Sequence, residues 1–116
     1  LSALLADPRI NAVVLGPGGG VGSEMRAKVR AAATGNRALI LDADALTSFG
    51  EKPKELFTIL ENQKLSTAIL TPHEGEFSRI FNDMRRNSSV NQKLEKTLAA
   101  SHETGAVVVL KGADTV

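Results

Sequence analysis

The stretch that most constrains the fold of this chain is the glycine-rich segment 16–22, Gly-Pro-Gly-Gly-Gly-Val-Gly. It follows the apolar run 12–15 and precedes a helical pattern that begins at Ser23. Glycine accepts positive φ and lets a ligand approach the main chain closely. A strand that ends in such a loop and continues as a helix can direct several backbone N–H groups at one point, which suits an anion or the polar edge of a ligand. Taken alone, the loop is also compatible with a tight turn that binds nothing.

This loop matches neither of the standard phosphate-binding fingerprints. Counted from Gly16, the sixth position of a G-x-G-x-x-G pattern is Val21 rather than glycine, and no Gly-Lys-Ser/Thr follows. Asp42 lies about 20 residues beyond the loop, where an acid that binds ribose stands in dinucleotide-binding folds. Without the glycine spacing this position is only a weak indication, and a nicotinamide-dependent dehydrogenase is disfavoured.

Four short apolar runs predict four buried strands, and each is followed by a helical pattern. The runs are residues 12–15, 38–41, 67–70 and 106–110. Short runs without polar alternation are typical of parallel strands that are covered on both faces. The repeated strand–helix order therefore predicts an α/β fold with a parallel sheet, right-handed crossovers and helices on both faces.

Apolar residues at helical spacing predict the buried side of each helix. The predicted inward residues are Val21, Met25, Val29 and Ala32 in a helix near 23–33; Leu56, Phe57 and Leu60 in a helix with Pro53 in its first turn; Phe77, Ile80, Phe81 and Met84 in the third; and Val90, Leu94 and Leu98 in the last. Ser23 is predicted as the N-cap of the first helix. Thr71, Pro72 and Glu74 predict a capping box at the start of the third helix, with Thr71 as the N-cap.

A polar cluster follows each predicted strand. The clusters are the glycine-rich segment, Asp42 with Asp44, residues 71–76 and residues 111–115. In parallel sheets ligands bind beyond the carboxyl ends of the strands, so the four clusters are expected to form one shared site.

The single residues of these clusters also have simpler interpretations. Two carboxylates at a strand end could bind a metal, a ribose or a substrate hydroxyl, but Asp44 could equally cap the helix that follows. Asp42 is the stronger candidate for substrate binding, because a buried strand end is a costly place for an unused charge. His73 could be an ordinary surface residue, and Lys111 a solvated lysine in a turn.

Composition excludes several classes of protein. The net charge of +1, with no Trp and no Tyr, gives no basis for binding nucleic acid, and no apolar run approaches the ~20 residues of a membrane span. The absence of cysteine excludes disulfides and is compatible with the cytoplasm, where we expect the protein to act.

Both ends are expected to be cut, so we interpret residues 1–116 as the central part of one domain, truncated at both ends.

Together these motifs resemble the ADP- or ATP-dependent NAD(P)H-hydrate dehydratases, a branch of the ribokinase-like superfamily. The matching segments are residues 14–20, 41–46, 70–77 and 109–113, in the same order and at similar spacing. The Thr-Pro-His-Glu-Gly-Glu segment is the most specific, whereas the Lys-Gly pair is shared with other kinases of the superfamily. Gly19 departs from the pattern, because the family usually has an apolar residue there. The resemblance implies a three-layer ribokinase-like fold.

The resemblance also implies an enzyme that repairs NADH or NADPH whose nicotinamide ring has gained a water. The hydroxyl of the hydrate is phosphorylated by ATP or ADP and leaves as phosphate, with Mg²⁺ bridging the nucleotide oxygens. Besides Asp42, the expected substrate contacts are Gly18, Gly20, His73, Glu74, Gly75, Glu76, Phe77, Ser78 and Arg79, and the expected nucleotide contacts are Lys111, Gly112, Ala113, Asp114 and Thr115. The expected partners are the hydrated dinucleotide, the adenine nucleotide and further copies of the chain in a homo-oligomer.

One feature of the family is missing. The later Gly-x-Gly-Asp turn, whose aspartate acts at the reacting hydroxyl, does not occur before Val116. We therefore expect no turnover from this polypeptide alone and assign no catalytic residue within it.

Two other functions remain open. The first is a ribokinase-like kinase for a small alcohol such as a vitamin precursor, which leaves the segment 71–76 unexplained, and the second is a non-catalytic nucleotide-binding module.

Overall fold

A computed structural model of the chain describes residue 6 and residues 12–34, 37–62, 67–81 and 90–112. In chain order its elements are β1 (Ala12–Leu15), α1 (Ser23–Ala33), β2 (Ala38–Leu41), α2 (Asp44–Thr47), α3 (Pro53–Glu61), β3 (Ala68–Leu70), α4 (Glu74–Ile80), α5 (Val90–Thr104) and β4 (Val107–Val108). Each predicted apolar run contains a strand, so the predicted order of strands is confirmed.

The four strands form one parallel sheet in the order β1-β2-β3-β4. Leu15 pairs with Leu41, which pairs in turn with Leu70, and Val108 continues this row on β4. The predicted α/β class with a parallel sheet is confirmed. Because the carboxyl ends of parallel strands lie at one edge, the segments that follow the four strands are brought together there.

The two faces of the sheet differ in what covers them. On one face, Leu39, Leu41 and Leu70 are completely buried beneath the helices. On the opposite face, Val14 and Val107 are 59% and 50% exposed. Right-handed crossovers between strands that pair in chain order place their helices on one face. The described residues thus supply one of the two helical layers that the sequence predicts.

The core lies between the buried face and the helices α1, α3, α4 and α5, and its largest side chains include Phe49 and Phe77. The ring of Phe81 packs against Phe57 and Phe77, with centroids 5.6 and 4.8 Å apart. Full burial of such a side chain stabilises the folded state by roughly 1.5–3 kcal/mol relative to exposure.

The apolar pattern of α1 predicts its buried side with one exception. Met25, Val29 and Ala32 are buried as expected. Val21 is 59% exposed because it precedes the helix, so its prediction as an inward residue is wrong. The predicted Ser23 cap is also wrong, because Ser23 is the first residue of α1 and the N-cap is Gly22.

The predictions for α3 and α4 are largely confirmed. Helix α3 begins at Pro53 and buries Leu56 and Leu60, while Phe57 is half-buried. Along α4 and the residue after it, Phe77, Ile80 and Phe81 are buried as expected. Met84, the last residue of that predicted stripe, lies outside the described residues.

The last helix, α5, turns a different side inward from the predicted one. Leu94 and Leu98 are 46% and 53% exposed, so their prediction as buried residues is wrong. The side chain of Val90 lies outside the described residues. The buried positions are instead Lys93, Lys96, Thr97, Ala100 and Thr104. At 15 residues α5 is the longest described helix, and no helix in the described ranges is long and apolar enough to cross a membrane.

Polar contacts explain the orientation of α5. Lys96 Nζ donates to Glu74 Oε2 at 3.0 Å and lies 5.4 Å from the centroid of the Phe77 ring. The hydroxyls of Thr97 and Thr104 donate to carbonyls of their own helix, so their burial leaves no hydrogen bond unmade. Lysine stems are apolar and can replace leucine against the core while the ammonium group reaches a carboxylate.

Candidate functional site

The polar clusters that follow the four strands meet at the carboxyl edge of the sheet. Gly20 N donates to Asp44 Oδ2 at 2.9 Å, which joins the first cluster to the second. Lys111 Nζ donates to Asp42 Oδ1 at 2.9 Å, which joins the fourth to the second. His73 and Lys111 form an isolated parallel β-bridge, which joins the third to the fourth. The structure therefore brings together residues from all four clusters.

The first cluster depends on the backbone conformation of Gly16 and on the absence of a side chain there. Gly16 has a φ of 132°, and a Cβ atom there would lie 1.6 Å from the carbonyl oxygen of Asp42. Any side chain at this position would collide with main chain that has no room to move. Gly18 and Gly20 also have positive φ, and a Cβ atom at either would meet no atom within 4 Å. The main chain at Gly18 and Gly20 is thus open to the close approach of a ligand.

Several backbone N–H groups of the glycine loop already donate hydrogen bonds to other residues of the protein. Gly19 N donates to Gly16 O at 3.0 Å. Gly22 N donates to Ser48 Oγ at 3.1 Å, and Gly20 N is held by Asp44. The expectation that the loop directs its N–H groups at a ligand is therefore wrong for these three groups.

The second cluster contains a strained residue. Ala43 has a φ of 45° and is the one residue other than glycine with positive φ in the described ranges. Such a conformation costs about 1–3 kcal/mol and is found mostly at functional sites. Ala43 is also the N-cap of α2. The alternative role of Asp44 as that cap therefore does not hold, and its carboxylate accepts from the glycine loop instead.

Asp42 is held by several donors at the end of β2. Its Oδ1 accepts from Ala43 N at 2.8 Å as well as from Lys111 Nζ. Partial burial opposes the charged form, but hydrogen bonds from Lys111, Thr71 and Ala43, together with the lysine charge, outweigh it and hold the pKa of this carboxyl below its ordinary value. Asp42 is therefore an anion at neutral pH and can accept a hydrogen bond from a ligand hydroxyl.

The helix that follows β3 is capped by His73 and not by Thr71. Glu76 N donates to His73 Nδ1 at 3.2 Å, and His73 N donates to Glu76 Oε1 at 3.0 Å, so the two residues form a reciprocal capping box. The predicted capping box of Thr71 and Glu74 is therefore wrong. Helix α4 begins at Glu74.

Main-chain pairing explains why the helix starts late. Thr71 N donates to Leu41 O at 3.1 Å, and Lys111 N donates to Pro72 O at 2.8 Å. Residues 71 and 72 thus continue the pairing of the sheet, and a residue held between strands cannot serve as a helix cap.

The other residues predicted to contact substrate or nucleotide have different surroundings. Gly75, Arg79 and Gly112 are exposed, Glu74 and Ser78 are half-buried, and Glu76 and Phe77 are buried. Because the side chain of Phe77 lies in the core, only its main chain could contact a ligand. Ala113, Asp114 and Thr115 lie outside the described residues.

Two buried lysines of α5 complete this edge, and sequence analysis missed both. Lys93 and Lys96 are 6% and 8% exposed. Their Nζ atoms lie 3.9 and 3.0 Å from the carboxylate oxygens of Glu74. A Cβ atom at Gly112 would lie 2.8 Å from Lys93 Nζ, so this lysine also reaches the fourth cluster. No sequence signal identifies them, because lysines beside Leu94 are typical of a solvated helix face.

A cavity of about 690 Å³ opens beside the glycine loop, and we name it the cationic cavity. Its lining includes Gly22, Arg26 and Arg79 and residues of the segment 47–52 that follows Asp44 and the start of α2. Arg26 is fixed in the wall, because its Nη1 donates to Ser48 O at 2.9 Å. Among the predicted contacts, Arg79 is the one that lies in this lining.

The described residues do not form a magnesium site of their own. No group of three or more His, Asp or Glu side chains that could hold an ion occurs in the described ranges. Asp42 and Asp44 each already accept a hydrogen bond from the protein. Mg²⁺ at such sites is often bound through substrate phosphates.

Comparison with known proteins identifies close relatives by name. The bifunctional NAD(P)H-hydrate repair enzyme Nnr of Synechocystis sp. is 38% identical over 108 residues, which cover 93% of this chain and 19% of that protein. Nnr of Corynebacterium glutamicum is 34% identical over 119 residues, which cover 98% and 20%. The ADP-dependent (S)-NAD(P)H-hydrate dehydratase of Nitrosopumilus maritimus is 33% identical over 78 residues, which cover 67% and 24%.

The chain spans about a fifth of the length of the curated relatives it matches. No solved structure matches it significantly. The family model described as NAD(P)H-hydrate dehydratase matches residues 2–116, a range that includes all four polar clusters at the edge of the sheet. The chain therefore belongs to the NAD(P)H-hydrate dehydratase family.

Proposed function

We propose that this chain holds the hydrated dinucleotide and the adenine nucleotide during the nucleotide-dependent dehydration of NADH or NADPH hydrate. The observation that carries the proposal is the set of contacts among Asp42, His73 and Lys111, which joins the candidate substrate residues to the nucleotide turn. Relatives named as hydrate repair enzymes and as an ADP-dependent hydrate dehydratase support the same reaction.

In this reaction the terminal phosphoryl group of the nucleotide passes to the hydroxyl oxygen of the hydrate. The carbon–oxygen bond then breaks, phosphate leaves with the electron pair, and loss of a proton from the adjacent carbon restores the ring double bond. Catalysis of phosphoryl transfer comes mainly from positioning and from neutralised charge. Mg²⁺, bound through nucleotide oxygens, would supply part of that neutralisation.

Lys111 is the residue of this chain that offsets nucleotide charge. Its side chain is 43% exposed, and its Nζ bonds the carboxylate of Asp42. A lysine of this kind holds phosphate as a mobile point charge. When Lys111 turns to a phosphate oxygen, Asp42 becomes free to accept from a hydroxyl of the hydrate. The same nucleotide is also expected to contact the next four residues, Gly112, Ala113, Asp114 and Thr115.

His73 offers a hydrogen-bond donor to the dinucleotide. Because its Nδ1 accepts from Glu76 N, the neutral ring carries its proton on Nε2. The imidazole is 60% exposed although its Nε2 lies 3.5 Å from Glu76 Oε2, so a ligand can approach this N–H group beside that carboxylate. The open main chain at Gly18 and Gly20 lets the dinucleotide approach on the other side.

Calorimetric titration of the chain with hydrated NADPH, and separately with ADP and ATP, tests these roles. We expect Lys111→Met to weaken nucleotide binding about 10-fold and to leave hydrate binding nearly unchanged. We expect His73→Ala to do the reverse. Equal loss of both ligands in both variants would contradict two separate roles, and no binding of either ligand to the parent chain would overturn the proposal.

An activity assay separates the proposed reaction from its alternatives. The chain alone, supplied with hydrated NADH and ATP or ADP, is expected to release no NADH, because no catalytic residue is assigned within it. Measurable repair would contradict that expectation. Phosphorylation of a small alcohol, in a panel of vitamin precursors, would instead favour the ribokinase-like kinase.

We also propose that the protein acts as a homo-oligomer in the cytoplasm. The absence of cysteine is compatible with a reducing compartment. Light scattering over a range of concentrations tests the assembly, and a monomer at every concentration would contradict it. Imaging of a fluorescent fusion tests the location.

A further inference from the structure

The cationic cavity is left unassigned by the proposed function. Its volume of about 690 Å³ falls within the range of pockets that bind small molecules and cofactors. It lies between the glycine loop, the segment that follows α2, and α4. Apart from Arg79, its lining contains none of the residues proposed to hold the hydrated ring or the adenine nucleotide.

Positive charge prevails in this cavity. Arg26, Lys52 and Arg79 place three cationic side chains in the lining against the single carboxylate of Glu51. Within the described residues, no carboxylate forms an ion pair with Lys52 or Arg79. Their ammonium and guanidinium groups are therefore available to an anion, and the planar guanidinium suits phosphate because it can donate two parallel hydrogen bonds.

One wall of the cavity is rigid. Arg26 Nη1 donates to Ser48 O at 2.9 Å, and its Nε lies 3.9 Å from Glu55 Oε2. Ser48 Oγ in turn accepts from Gly22 N. The glycine loop and the segment after α2 are thus joined behind the cavity, which fixes the position of the anion relative to the loop.

The cavity lies next to the proposed dinucleotide contacts. Gly22 closely follows Gly20 in the glycine loop, and Arg79 belongs to α4, whose N-cap is His73. At about 1.5 Å of rise per residue, roughly 9 Å of helix separates His73 from Arg79. In an extended dinucleotide, the ribose and the pyrophosphate follow the nicotinamide ring over a comparable distance.

We propose that the cationic cavity binds the adenosine diphosphate half of the hydrated dinucleotide, with Arg79 and Lys52 contacting pyrophosphate oxygens and Arg26 forming a fixed wall. The inference rests on the proposed function, which places the hydrated dinucleotide at His73 and the glycine loop. The adenine nucleotide that supplies the phosphoryl group then binds elsewhere, at Lys111. Arg79 and Lys52 are residues that favour a dinucleotide over a nicotinamide riboside substrate.

Calorimetric titration with NADPH hydrate, with the hydrate of reduced nicotinamide riboside and with ADP-ribose tests this inference. Arg79→Gln and Lys52→Gln are each expected to weaken NADPH hydrate and ADP-ribose about 10-fold. The riboside hydrate lacks the adenosine diphosphate half, including both phosphates, and is expected to bind all variants equally. Lys54→Gln is the matched control, since Lys54 is an exposed lysine outside the lining, and it should bind like the parent.

A change at Glu51 tests the same cavity in the opposite direction. Glu51→Gln removes the carboxylate of the lining, so ADP-ribose is expected to bind about threefold more tightly at low salt. Tighter binding cannot result from partial unfolding. Weaker or unchanged binding in this variant would contradict the proposed position of the pyrophosphate.

The outcomes separate this inference from the proposed function. Unchanged ADP-ribose binding to Arg79→Gln and Lys52→Gln would overturn the inference, and so would equal weakening of the riboside hydrate. Loss of ADP affinity in Arg79→Gln, with none in Lys111→Met, would assign the cavity to the phosphoryl donor and would also overturn it. If neither hydrate binds while ADP-ribose binding still depends on Arg79, the proposed function fails and the cavity remains a site for an adenosine diphosphate group.

Discussion

The glycine-loop half of the site, residues 12–50, contains a close contact between main-chain segments, whereas the lysine half, residues 67–81 and 90–112, contains ion pairs with buried lysines. In the glycine-loop half, Gly16 lies so close to Asp42 that a Cβ atom would stand 1.6 Å from a carbonyl oxygen. In the lysine half, Glu74 lies 3.0 Å from the ammonium group of Lys96.

This difference shows how each half responds to change. A close contact between two main-chain segments cannot form when one atom is added between them, and its strength does not depend on pH or salt. Ion pairs weaken by degrees, and they respond to pH and salt when they are partly exposed. Lys111 and Asp42 connect the two halves, so the junction itself is expected to be sensitive to pH.

The largest effect is expected from Gly16→Ala. The added Cβ atom has no room beside the Asp42 carbonyl, and the φ of 132° is unfavourable for alanine. We expect a loss of more than about 3 kcal/mol in the free energy of unfolding, measured with urea. Gly18→Ala is the matched control, because its φ is also positive but the added atom meets nothing within 4 Å. Equal losses in the two variants would show that sterics do not fix this half.

A smaller effect is expected from Glu74→Gln, which removes the carboxylate between two buried lysines. Breaking a buried ion pair costs about 3–5 kcal/mol, but Glu74 is 46% exposed, so we expect about 2 kcal/mol. Lys96→Met keeps an apolar stem and leaves Lys93 with its partner, so its cost should be nearer 1 kcal/mol. Urea unfolding measures both, and a larger cost for Lys96→Met would contradict this account of α5.

His73→Ala is expected to cost about 1 kcal/mol, because α4 loses the side chain that caps it. His73→Asn should restore most of that stability, since asparagine is also a favourable N-cap. Thermal unfolding of the three proteins tests the corrected capping box. If His73→Asn were as unstable as His73→Ala, the cap would not be what His73 contributes to stability.

The smallest effect, under about 1 kcal/mol, is expected from Asp42→Asn, and it depends on pH. The pKa of Asp42 is lowered in the folded state, so its contribution to stability is present above the ordinary aspartate pKa of about 3.9 and is lost as pH falls through the folded value. The variant should be less stable than the parent at neutral pH and should lose less stability on acidification. Parallel curves of stability against pH would contradict the Lys111–Asp42 junction.

The glycine-loop half could be predicted well because its determinants are local. Glycines between an apolar run and a helical pattern identify the loop, and Met25, Val29 and Ala32 identify the buried side of α1. What the sequence could not show is that Asp44 and Ser48 occupy N–H groups of that loop, because these contacts join residues more than 20 positions apart.

The lysine half was predicted less well because its contacts compete with local patterns. Thr71 and Glu74 have the spacing of a capping box, but pairing of Thr71 with β2 holds the chain extended for longer. Leu94 and Leu98 form the apolar stripe of α5, yet they are exposed. The buried side of the helix instead carries Lys93 and Lys96, which form ion pairs with Glu74. A carboxylate on another helix is not visible in the pattern of α5 itself.

The order of the strands has a consequence for how the site is completed during synthesis. Every strand pairs with its neighbour in sequence, so β1, β2 and β3 can associate before β4 has been synthesised. The bond between Lys111 and Asp42 spans 69 residues and can form only after β4 has docked. A nascent chain therefore forms the glycine loop before the bond between Lys111 and Asp42 can close this edge of the sheet.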